Sequence, residues 1–213
     1  SEGDVDMESR TAKVVSWILV VALGVTEIVA TGLMWLGKSP VGVVIHALLG
    51  VIIVVVSWWA LHTAKRNRIY SRHQPTVSHV YTLIVTNLAM LEVIAIHDCD
   101  HMRQAMGWNY QFTLALLLVN MIVYLPNLLS LILASQGQLK GVIATLVSGP
   151  LIAAAFLKLH LLGAWLPVWG PWNRSFFALG VDMISWWILA ITAIAGILVG
   201  MMATYILGQL TAS

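Results

Sequence analysis

VSHVYTLIVTNLAMLEVIAIHDCDHMRQ occupies residues 77–104, and the reading of its polar end decides what kind of bundle the chain builds. Between Val77 and Ile96 the only charged side chain is Glu92, and about 20 apolar residues make one helical bilayer crossing. The next seven positions hold His97, Asp98, Asp100, His101 and Arg103. The rest of the chain is as apolar: 60% of residues are hydrophobic, 9% are charged and mean hydropathy is +0.89, where soluble domains carry roughly a quarter charged residues. These values define an all-α integral membrane protein. The 11 Lys/Arg and 9 Asp/Glu leave a net charge of +2 gathered in short blocks, so there is no basic surface for nucleic acid. Cys99 is the single cysteine and forms no disulfide within the chain.

Six apolar runs, at 14–36, 41–62, 77–98, 112–134, 141–164 and 183–208, predict a helical bundle of six spans. They divide the chain into a polar N-terminal tail (1–13), one transmembrane domain (14–208) and a C-terminal tail (209–213). The first run is too long for a signal-peptide core and lacks a basic leader or small-residue cleavage site, so it reads as a retained helix. Lys65, Arg66, Arg68 and Arg72 crowd one connection, and the positive-inside rule makes that side cytoplasmic. Arg10, Lys13 and Lys140 fall on the same side. Both termini are then cytoplasmic, and the 95–104 block faces outward. Trp35, Trp108, Trp165, Trp169 and Trp172 mark the outer boundary, and Trp17, Trp58 and Trp59 the inner one.

Pro126, with Asn120 and Asn127 near it, predicts a kink in the fourth span, and Ser148-Gly149-Pro150 predicts one in the fifth. Thr192, Gly196, Gly200, Thr204 and Gly208 repeat at four-residue spacing, a small-residue stripe for a helix of this chain or of a second subunit. The segment Trp165–Ser175 is too rich in proline and tryptophan for a regular helix and is expected to lie in the interface, over whatever sits beneath it. No similarity between the two halves of three spans supports an inverted-repeat transporter.

An ionisable group near the bilayer midplane costs at least roughly 2.5 kcal/mol on insertion scales, so each needs a partner or a task. His97 and His101 stand four apart, on one helical face, and an H-x3-H pair presents two imidazoles to one metal ion. Asp98 or Asp100 can add a carboxylate ligand or hold an imidazole tautomer. Glu92, Cys99 and Arg103 fall on another stripe. The same block also suits a plain polar helix end at the membrane surface. His46, His97 and His160 lie within about two turns of the outer end of their spans, under roughly 10 Å, so three helices offer imidazoles at one level. Gly42 and Gly50 flank His46 and predict a flat recess for a porphyrin. Ala153, Gly163 and Ala164 lie near His160, so haem b held by His46 and His160 is one candidate. A copper, iron or zinc ion is the other. Either histidine, taken singly, equally suits a hydrogen-bonded helix interface.

Glu92 and Lys158 lie at similar depth and are expected to pair if their spans touch. Glu27, with Gly24 and Thr31 near its face, is a candidate proton relay, and Asp182 fits the N-cap of the last span. His62, His73 and His79 belong to the basic side.

Asp100-His101-Met-Arg103-Gln104 and Val181-Asp182-Met-Ile-Ser185-Trp186 resemble a pattern in uncharacterised bacterial polytopic membrane proteins, with a D-H-x-R-Q signature after an apolar helix and V-D-x-x-S-W opening the final one. The resemblance implies that these two ends belong to one site and implies no activity. His97-Asp-x-x-His101 is similar to the first histidine box of membrane desaturases, but the adjacent histidines of their further boxes are missing. The final span also has no lysine to carry retinal. The expectation is therefore a haem or metal protein of a bacterial or archaeal cytoplasmic membrane. Its outer-leaflet site would use His46, His97, His101 and His160, with Asp98, Asp100 and Asp182 around it, for electron transfer or oxidation of a small or lipid-soluble substrate. Alternatives are a non-catalytic subunit of a larger membrane complex and a proton or metal-ion permease working through Glu27 and Glu92.

Overall fold

Each apolar run becomes a helix because no water is available in the bilayer to satisfy backbone N–H and C=O groups. The computed structural model describes the backbone of residues 2–66 and 74–212 and the side chains of 9–64 and 74–212. The basic residues Lys65, Arg66, Arg68 and Arg72, and His73, lie outside the described side chains. The helices are α1 (Glu2–Leu36), α2 (Pro40–Arg66), α3 (Val77–Gly107), α4 (Leu114–Ile122), α5 (Leu125–Ser135), α6 (Leu139–Leu162), α7 (Phe176–Leu179) and α8 (Met183–Ala212), with a 3-10 turn at Gly170–Asn173. No strand occurs among the described residues. Among the described residues six units are long and apolar enough to cross a membrane, α4 and α5 together forming the fourth. α1 runs from Glu2 and α8 to Ala212. Outward positions of α1 such as Ile18, Val21, Val25 and Ile28 are exposed, an apolar coat that belongs in lipid.

α3 is the central helix, packed on α1, α2, α5, α6 and α8. It starts from a capping box in which Thr76 Oγ1 accepts from His79 N while His79 Nδ1 accepts from Thr76 N. It then runs unbroken through the whole polar block to Gly107, about nine residues past the expected end. Burial explains the extension: His97, Asp98, Asp100, His101 and Gln104 are all buried against other helices, so the polar end of the helix is an interior and not a surface.

The two prolines act differently. The ring of Pro126 clashes with the carbonyl of Ile122, four residues earlier, and α4 ends there; α5 restarts at Leu125, with Pro126 in its first turn. Pro150, in contrast, sits inside an undivided α6. Its ring lies where a Cβ on Gly200 would stand, 2.6 Å from Pro150 Cγ, and a Cβ on Gly196 would stand 2.5 Å from the Gly149 carbonyl oxygen. Two glycines of the α8 stripe therefore let α6 and α8 approach at backbone distance, while Gly208 has nothing within 4 Å. Deeper in the bundle Asn87, Asn127, Thr145, Ser130 and Ser148 bond one another across α3, α5 and α6.

Gly196→Val should therefore destabilise the protein by about 1–3 kcal/mol or more through overpacking, whereas Gly208→Val should change little. Thermal melting of both variants in the same detergent checks the contrast, and equal losses would contradict the packing described.

Candidate metal centre

The four-residue spacing of His97 and His101 places both rings on the face of α3 that meets α6, and His160 stands in the last turns of α6. Their Nε2 atoms converge: His97 Nε2 lies 2.9 Å and His101 Nε2 3.2 Å from His160 Nε2. One ligand atom from each falls within 4.8 Å of the others, and the residues are 1%, 5% and 0% exposed. With metal–nitrogen bonds of about 2.0–2.1 Å, two imidazole nitrogens on one ion stand about 3.3 Å apart in a tetrahedral site and about 3.0 Å apart in an octahedral one. The two separations to His160 Nε2 lie close to these values.

The protonation pattern favours the same use. Thr192 Oγ1 gives its proton to the Ile188 carbonyl at 2.7 Å and so accepts from His97 Nδ1–H at 2.9 Å. That hydrogen bond leaves the His97 lone pair on Nε2, facing the other two rings, the outer-shell arrangement that orients metal-ligating histidines. His160 Nδ1 has no hydrogen-bond partner among the described residues. The buried histidines thus form a three-imidazole cluster able to ligate a metal ion.

Aromatic rings close the cluster off. Phe156 packs tilted against His97 with centroids 4.2 Å apart, and Phe176 stacks on His160 at 4.1 Å. Trp172 lies 4.9 Å from the His101 ring and donates from Nε1 to Gln104 Oε1 at 2.6 Å. The segment after α6 is therefore the cover expected of it, and Trp172 is buried over His101, whereas Trp35 and Trp165 are 72% and 87% exposed. The cover leaves α6 through Gly163 at φ 79, where a Cβ would stand 2.5 Å from the Asn173 carbonyl oxygen.

His46 does not join the cluster. Its Nδ1 faces Glu27 Oε2 at 3.4 Å and its Nε2 faces Asp98 Oδ2 at 3.6 Å, while Tyr124 Oη donates to Asp98 Oδ2 at 3.0 Å. The result is a second buried group, Glu27–His46–Asp98–Tyr124, joining α1, α2, α3 and the break between α4 and α5. α1 packs against the glycines beside His46: a Cβ on Gly42 would meet Met34 Sδ at 2.5 Å and one on Gly50 would meet Glu27 Cβ at 2.9 Å. A cavity of about 440 Å³ remains between α1 and α2, lined by Glu27, His46 and Gly50 with apolar neighbours, and its lining shows nothing specific to haem.

Neither aspartate touches the imidazole cluster. Asp100 accepts from Arg103 Nε at 2.9 Å and from Gln104 Nε2 at 3.1 Å. Arg103 leaves the expected stripe with Glu92 and Cys99 to reach α8, pairing Nη1 and Nη2 with the Asp182 carboxylate at 2.7 and 2.9 Å. Gln104 reaches Ser185 Oγ at 2.6 Å. Asp182 caps α8 by accepting from Ser185 N at 3.1 Å. The Arg103 guanidinium, with the Ser185 N–H, holds the Asp182 carboxyl down to about 2. The two stretches carrying the resemblance are therefore in direct contact. Glu92 and Lys158 do not pair: Glu92 accepts from Thr26 Oγ1 at 2.6 Å, and Lys158 Nζ donates to the Gly163 carbonyl and lies over the Trp165 ring at 4.2 Å. α1 supplies a nearer hydroxyl to one, and the exit of α6 a nearer carbonyl to the other.

Sequence reasoning overlooked Tyr124, whose signal was its position two residues before Pro126, and the bonding role of Thr192, read only as a small residue. Comparison of the chain with protein-family models, with curated proteins and with solved structures finds no match.

Asp182 is depressed in the folded state, so its contribution to stability is complete above the unfolded value near 4 and fades as pH falls through about 2. Asp182→Asn should lower the melting temperature at pH 7, and the gap to the unsubstituted protein should close between about pH 4 and pH 2. A gap that stays constant over this range would show that the Arg103 pair does not stabilise the fold.

Proposed function

We propose that the protein is a membrane metalloprotein in which His97, His101 and His160 hold a single transition-metal ion, for electron transfer or for oxidation of a small or lipid-soluble substrate. The convergence of three Nε2 atoms at 2.9 and 3.2 Å carries this reading. Three imidazoles suit zinc, copper, iron or nickel, and of these copper and iron supply one-electron chemistry. The chain's own part is distinct from that chemistry. Thr192 fixes the tautomer of His97, Phe156, Phe176 and Trp172 exclude water, and the protein leaves one side of His101 bordering an apolar cavity. Glu27, His46, Asp98 and Tyr124 hold and pass protons beside the site, each a group that can carry a proton and each within about 3.6 Å of the next. The basic block of Lys65, Arg66, Arg68 and Arg72 follows the second span in the sequence, and the positive-inside rule applied to it supports an outer-leaflet position for the histidines. The membrane would be a bacterial or archaeal cytoplasmic membrane.

A second reading, a permease for protons or metal ions, draws support from the Asn87–Asn127–Ser148 ladder, which carries polar groups down the bundle between α3, α5 and α6. Among the described residues no buried charged side chain is bonded to that ladder, which favours the first reading. Proteoliposome flux separates the two.

Elemental analysis of protein purified without chelator should find about one copper, iron or zinc per chain. His97→Ala, His101→Ala and His160→Ala should each reduce it to background, and Thr192→Val should weaken affinity about 10- to 100-fold with the fold intact. Metal content unchanged by all three histidine substitutions would end this proposal.

A further inference from the structure

The break between α4 and α5 also opens a space. α5 packs along α6, whereas α4 has no comparable packing against it, and the gap is a cavity of about 430 Å³. That size falls among pockets that take small molecules, about 300–1,000 Å³. Its walls are apolar side chains of α3, α4 and α6 with Trp169 of the cover, and its polar lining residues are Asp98, His101 and Asn120. Asn120 is 4% exposed, and its Nδ2 has no hydrogen-bond partner among the described residues. A buried amide left in that state is costly, and here it borders an open space beside the candidate metal ligand His101.

We infer that this cavity is a lateral binding site for a quinone-class molecule entering from the bilayer, whose carbonyl oxygen accepts a hydrogen bond from Asn120 Nδ2. The inference rests on the reading of the site as one that handles a lipid-soluble substrate. The lining offers two complementary polar groups: the Asn120 amide donates to a carbonyl, and the Asp98 carboxylate accepts from the hydroxyl of the reduced form. A molecule that alternates between carbonyl and hydroxyl uses both, while an acyl chain uses neither. Phe156 and Trp169 supply aromatic walls for a flat ring. Asp98 is held in turn by His46 and Tyr124, so the hydroxyl would meet a carboxylate already linked to further proton carriers.

Quenching of tryptophan fluorescence by a short-tailed benzoquinone, with the purified protein in detergent, tests this. An alkylbenzene of similar shape but without oxygens serves as competitor. Saturable quenching is expected, with the alkylbenzene competing about tenfold less well than the quinone itself. Asn120→Leu should weaken the quinone about tenfold, the weight of one hydrogen bond, and leave the alkylbenzene unaffected. Ala155→Trp, at an exposed wall position, should block both ligands; if it does not fold, the Asn120→Leu comparison decides alone. Quinone binding unchanged by Asn120→Leu, or an alkylbenzene that competes equally, would overturn the inference and leave only an acyl-chain cavity. Metal content measured on the same samples separates the two proposals. Asn120-dependent binding by a metal-free protein would remove the metal reading alone, and a metal-loaded protein without such binding would remove this inference alone.

Discussion

Five ionisable side chains lie on less than two turns of α3, and the helix does not end before them. Because the backbone stays helical to Gly107, these groups cannot spread into a loop and find water. Each must find a partner in the direction that the helical period gives it. His97 and His101 meet α6, Asp98 meets α2 and the break after α4, and Arg103 meets the start of α8. The neighbours are selected by that demand: three helices and one helix break are positioned around α3 by the groups they must satisfy. A buried charge or imidazole without a partner is costly in a membrane interior, so the arrangement is fixed more tightly than apolar packing alone would fix it.

The span pattern was legible because hydrophobic length is a one-dimensional property, and α1, α2, α6 and α8 began within about a dozen residues of where the apolar runs placed them or closer. The His97/His101 face and the addition of His160 were legible too, from periodicity and depth. What could not be read was azimuth. Depth placed His46 level with the other histidines, but only the rotation of α2 decides that its ring faces Glu27 and Asp98. Glu92 and Lys158 likewise share a depth and face different neighbours. The aspartates show a related limit: adjacency in sequence to a candidate ligand says little on a helix, where the next residue points about 100° away. The glycines beside His46 were read as space for a ligand, and α1 packs closely against both.

Proline reading had the same dependence on surroundings. Pro126 divides a span because the freed end is useful: it brings the Tyr124 hydroxyl to a buried carboxylate. Pro150 sits in an undivided helix, and Gly200 across the interface leaves room for its ring. The same missing donor thus has two outcomes in this chain.

The cover over the histidines is tied to the helix that carries two of them. Trp172 bonds Gln104, and the entry to α8 just beyond the cover is clamped by Arg103. Ligand helix and cover therefore form a closed circuit, and nothing can leave the cluster toward the helix ends without breaking several hydrogen bonds at once. The circuit makes the two ends of the site mechanically dependent: displacing the cover strains the hydrogen bonds of the helix that carries His97 and His101, so local opening of one is coupled to the other.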